Sequence, residues 1–205
     1  MASAILFNPW KGSNYECGFG GLRTLVLGES HYQWDAEISI DGDPNLTIGL
    51  VNDQLSGEET KAFWTKIAIA FLNRKPSLED KIDFWNAVAF YNYIQQSAGD
   101  GPRIAPPKAS WKDSEEAFKE VVELLKPQFI LILGMRLWYG LPDLTGDFGP
   151  ILNDATQEKT WVYYHSQGRA LAYYIKHPST GFNGLDWHPH IMAAMALARA
   201  PLDNP

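Results

Sequence analysis

Four short runs of consecutive apolar residues, each ending in a loop and separated by helical patterns, constrain this chain most. Thr24 to Leu27, Asn86 to Tyr91, Phe129 to Leu133 and Leu171 to Ile175 predict strands buried on both faces. Between them, helices are expected at about Glu58 to Leu72, Ser114 to Leu125 and Asp186 to Arg199. Asp113 or Ser114 opens the second as a cap, with acids in its first turn. Strand alternating with helix predicts an α/β fold, a three-layer sandwich whose central, mainly parallel four-stranded sheet is flanked by helices.

In an open parallel sheet, ligands bind at the carboxyl ends of the strands. The unusual polar residues of this chain fall there. Gly28-Glu29-Ser30-His31-Tyr32 follows the first strand, Asn92 the second, Gly134 the third and His177-Pro178-Ser179 the fourth. Four distant segments should therefore meet on one edge.

With 205 residues, 45% of them hydrophobic, the chain can bury a full core, and residues 1–205 are expected to form one domain. The Pro- and Gly-rich run from Gly99 to Pro107 resembles a rigid crossover loop rather than a linker, because the apolar pattern resumes at once. A formal charge of -7 argues against coating nucleic acid by bulk electrostatics, so any DNA contact is local. Seven acidic residues and no Lys or Arg lie between Asp35 and Glu59, an acidic insertion at about 35–59 read as a solvated loop, with a lid that repels or gates a polyanion as the sharper alternative. Its Asp41-Gly-Asp43-Pro-Asn45 segment is not a calcium loop, since Leu46 stands where Gly is needed and Asn52 where Glu is needed. A single cysteine, Cys17, excludes an intrachain disulfide and a Cys-rich metal site. Neither a basic leader with an apolar run nor about 18 consecutive apolar residues is present, which predicts a cytoplasmic protein that does not cross a membrane.

In this order, the segments resemble the uracil-DNA glycosylase superfamily from about Leu25 to Arg199. Leu25 to Tyr32 is similar to its first motif. Asn92 and the Gly-Pro-Arg103-Ile-Ala-Pro106 loop are similar to its strand-end Asn and following loop, Leu125 to Gly134 to its third strand, and His177-Pro178-Ser179 to its second catalytic motif. The resemblance implies a metal-independent, monofunctional DNA glycosylase, a monomer with no cofactor, whose partner is DNA carrying a uracil-like, damaged or modified pyrimidine. Base excision repair and defence against phages with modified DNA are both uses that such proteins serve.

Breaking the bond from base to sugar produces an oxocarbenium-like sugar and an anionic base, and both charges need partners already in place. By resemblance, His177 donates a hydrogen bond to the leaving base, and Glu29 stabilises the sugar cation and orients water. His31 is the alternative water activator, because Ser30 stands where the Gly-Gln-Asp-Pro-Tyr form of the motif has its acid. Asn92 matches the amide that reads the flipped base. Tyr32 matches the residue that crowds the C5 substituent, with Ser30 beside it and Trp34 as a stacking partner. Ser179, Gly181, Phe182, Asn183 and Leu185 form the expected DNA-facing loop with Arg103; Phe182 or Leu185 is the wedge that fills the vacated stack.

Two other readings compete. Ser30 and His31 fit an esterase-type hydrolase, although Tyr32 replaces the final Gly of a nucleophile elbow. A non-catalytic DNA-binding module of the same fold is the other. Trp187-His188-Pro189-His190 lacks the further ligands zinc would need.

Overall fold

The structure, a computed structural model, describes residues 3–32, 40–57, 61–99, 104–153, 158–179 and 181–200. Among these, the strands are β1 (Trp10–Lys11), β2 (Thr24–Gly28), β3 (Val88–Asn92), β4 (Phe129–Leu133), β5 (Asp147–Phe148), β6 (Trp161–His165) and β7 (Gly168–Ile175). The helices are α1 (Leu46–Ser56), α2 (Ala62–Leu72), α3 (Leu78–Ala87), α4 (Lys108–Asp113), α5 (Glu115–Leu125), α6 (Met135–Gly140) and α7 (Gly184–Arg199).

The four expected runs form the parallel centre of the sheet, in the order β3-β2-β4-β7. The sheet itself is mixed and larger than expected. Antiparallel β1 extends it beyond β3, and antiparallel β6 and β5 extend it beyond β7, giving seven strands. These additions escape a search for continuous apolar runs: β1 and β5 have two residues each, and β6 exposes Tyr164 between buried Tyr163 and half-buried His165.

Residues of the central strands alternate between two apolar clusters, one on each face. Val26, Phe90, Leu131 and Ile175 pack with Trp64, Ile67, Phe71, Phe84, Ile191 and Met195 from α2, α3 and α7. Leu25, Leu27, Tyr91, Ile130 and Ile132 pack with Phe118, Val121, Val122 and Leu125 of α5 on the other face. Helices thus cover both faces of the sheet.

Local sequence explains most helix limits. Ser77 and Asp80 form a reciprocal capping box at the start of α3, and that helix takes Asn86 and Ala87 from the run read as a strand. Ser114 does stand at the amino end of α5, but its hydroxyl donates to Ser110 O at 2.6 Å and accepts from Gln95 N at 3.1 Å instead of capping the helix. The acidic segment is not simply a loop. Helix α1 occupies its second half, burying Thr47, Val51 and Gln54 at helical spacing, while Asp35, Glu37, Glu58 and Glu59 lie outside the described residues.

The chain reverses direction across the sheet at β2, since β3 lies on one side of it and β4 on the other. A crevice opens at the carboxyl end where such a reversal occurs.

Candidate functional site

Three of the four strand-end segments line a cavity of about 750 Å³ there, and the fourth, Gly134, packs against His177. Gly28 to Tyr32, Asn92 and His177 to Ser179 line it, together with Phe90, Leu50 of α1, and Lys61, Phe63, Trp64 and Lys66 at the start of α2. Apart from the strand-end polar groups and two lysines, the walls are aromatic and aliphatic.

Asn92 is held by close approach. A Cβ on Gly28 would fall 2.1 Å from Asn92 Oδ1, so the absence of a side chain at position 28 lets the amide fold across the end of β2. Asn92 Nδ2 donates to His31 Nδ1 at 3.2 Å, and His31 Nε2 is 2.9 Å from Thr47 Oγ1. The amide oxygen has no hydrogen-bond donor among the described residues and stays available to the cavity. Burial pushes the His31 imidazole down to about 4, so it is neutral near pH 7. With Phe7 packed edge-on at 5.1 Å, this ring is an interior support for Asn92.

His177 has no hydrogen-bond partner for its ring nitrogens among the described residues. Its ring lies 5.7 Å from that of Phe63, tilted by 35°. Gly134, at φ +112°, brings the end of β4 against it; a Cβ there would come within 3.3 Å of His177 Cβ. Burial holds its basicity below the usual histidine range, against Glu29, which raises it; Arg136 and Lys66 lower it further. Behind it, Lys66 Nζ donates to Ser179 O, and Lys176 Nζ donates to Gly181 O at 3.0 Å, tying down the following loop.

Glu29 is buried and faces a partner that the sequence analysis missed. Arg136 grips it with two hydrogen bonds, Nε to Oε2 at 2.7 Å and Nη2 to Oε1. That carboxylate raises the affinity of the guanidinium for its proton. The two residues are 107 positions apart, and the only hint was Arg136 two places after the glycine that ends β4.

Ser30 Oγ is buried without a hydrogen-bond partner among the described residues, and the His31 nitrogens turn to Asn92 and Thr47. The pair therefore forms no nucleophile and base. Tyr32 lines the cavity, whereas Trp34 and Arg103 lie outside the described residues.

Of the two wedge candidates, Phe182 is directed inward: it is 7% exposed, belongs to the core and stacks parallel to Trp187 at 6.4 Å. Leu185 is 46% exposed in the first turn of α7. Asn183 caps that helix through Leu185 N at 3.3 Å and donates to Asp186 Oδ1 at 2.9 Å. Ser179 is exposed, and Gly181 turns the chain at φ +66°. His188 and His190 diverge, the former to Ala70 O at 3.0 Å and the latter to Glu158 at 3.5 Å. No group of three or more His, Cys, Asp and Glu side chains suited to a metal ion occurs among the described residues. Among them too, no helix is long and apolar enough to cross a membrane.

The chain matches no protein-family model and no curated protein.

Proposed function

We propose that this protein is a monofunctional DNA glycosylase that takes a flipped, uracil-like pyrimidine into the cavity and hydrolyses its bond to deoxyribose. The observation that carries this reading is the meeting of three unlike polar groups on one aromatic-walled cavity: an acceptor at Asn92, an imidazole at His177 without a hydrogen-bond partner among the described residues, and a fixed carboxylate at Glu29. The cavity lies within the ~300 to 1,000 Å³ typical of small-ligand sites.

Each group answers one need of the reaction. The bond from C1′ to the base nitrogen breaks with its electron pair leaving on the base; a water oxygen then bonds to C1′, and a water proton ends on the base. His177, kept neutral by burial, donates N–H to the carbonyl oxygen where charge gathers. Glu29 faces the cationic sugar and orients water, with carboxylate lone pairs beyond the two that Arg136 uses. His31 is too weak a base, and too fully engaged, to share that role. Asn92 Oδ1 accepts from a ring N–H, which a uracil-like edge offers and a cytosine edge, with a lone pair there, does not. Phe63 supplies a face on which the base stacks.

Purified protein incubated with oligonucleotides carrying uracil, thymine mismatches, 5-hydroxymethyluracil or modified cytosines should leave an abasic site at a uracil-like base, where alkali then cuts the strand. The Glu29–Arg136 pair favours one rival, a DNA-binding module whose carboxylate is already neutralised. Retention of the same oligonucleotides with no alkali-labile site would select that rival.

A further inference from the structure

A second hollow, of about 370 Å³, opens at the opposite edge of the sheet. Arg23 and Gln128 immediately precede β2 and β4, Arg169 is the second residue of β7, and Arg199 closes α7; all four line it. They gather at the amino ends of the parallel strands, away from the cavity at the carboxyl ends.

Among the described residues, no Asp or Glu belongs to its lining. Among the described residues, the hydrogen-bond acceptor of each guanidinium is a backbone carbonyl: Lys126 O for Arg23 Nε at 2.8 Å, Ala200 O for Arg169 Nη2 at 2.8 Å and Gly20 O for Arg199 Nη2 at 2.7 Å. None forms an ion pair among the described residues. Arg169 Nη1 is buried with no acceptor among them. An unpaired buried guanidinium N–H carries a desolvation cost, and three like charges around one hollow repel one another. This happens in a chain of net charge -7, where acids outnumber bases. The partial negative charge at the end of α7 offsets only part of that repulsion.

We propose that this hollow is a phosphate-binding site that takes the phosphate group of a small molecule. Arginine forks match phosphate oxygens in pairs, and Arg169 Nη1 supplies a donor already in place. His165 forms wall rather than ligand, because its Nε2 is engaged by Pro127 O at 2.9 Å and its Nδ1 accepts from Gln167 N at 3.2 Å. The volume exceeds what one phosphate fills, leaving room for the organic part of a phosphomonoester.

Titration calorimetry of the full chain with inorganic phosphate and with ribose 5-phosphate, at ionic strength matched with chloride, tests the site. Saturable binding should weaken at least about tenfold in Arg169→Gln and in Arg199→Gln, the second being an exposed helix-end position that keeps the test valid if the first disturbs β7. Absence of saturable binding overturns the proposal, as does binding that both variants retain. A short undamaged duplex that binds through these arginines where neither phosphate does would also overturn it, in favour of a DNA contact.

Discussion

Arg136 changes what Glu29 can do, because a carboxylate gripped at two points has one orientation. Arg136→Lys keeps the positive charge but loses the fork, so single-turnover excision should slow about tenfold. Glu29→Gln removes the negative charge facing the sugar and should slow it about 100-fold or more with little change in DNA affinity. His31 carries a separate, pH-dependent consequence. Its affinity for a proton is lower folded than unfolded, so the unfolded chain binds more protons between about pH 6.5 and pH 4, and stability falls as pH drops through that window. Urea unfolding of the wild type compared with His31→Gln should show an extra loss of about 2 kcal/mol by pH 5 and about 3 kcal/mol by pH 4. Equal pH slopes in the two proteins would show that burial does not set the protonation of His31.

The ends of β2 and β3 work as one element: in-register pairing sets Gly28 beside Asn92, and the missing side chain of one makes space for the amide of the other. Gly28→Ala should therefore displace Asn92 and cut excision about 100-fold, while the melting temperature falls only by the equivalent of about 1 to 3 kcal/mol. A matching loss of fold and activity would place the effect in stability instead. The central strands were legible because burial on both faces leaves an unbroken apolar signature. The edge strands were not, since half-exposed or two-residue segments carry no such pattern. Helix α1 was hidden by Asp41-Gly-Asp43-Pro, whose turn chemistry and charge read as loop although Thr47, Val51 and Gln54 repeat at helical spacing. The Ser77-to-Asp80 capping box that starts α3 was readable and was masked by the apolar run that follows.

Across the whole molecule, the acidic total conceals a division by edge. One edge of the sheet carries an aromatic cavity with strand-end polar groups, and the other carries a hollow lined by three arginines that form no ion pair among the described residues. Convergence of the strand-end residues was legible, because the carboxyl ends of parallel strands share an edge whatever the loop lengths. Partners drawn from separate segments were not: Arg136 on Glu29 and Thr47 on His31 depend on how close loops and helices come in three dimensions. The inward turn of Phe182 follows from packing with Trp187, which an exposed-loop reading does not anticipate. The most direct measurement is mass-spectrometric detection of free base from a uracil-containing oligonucleotide, with wild type and His177→Ala compared at saturating protein. The proposed function requires release of the base by the wild type and release about 100- to 1,000-fold slower by His177→Ala at comparable DNA affinity. Release by both proteins at the same rate would contradict it, as would oligonucleotide binding with no base released by either.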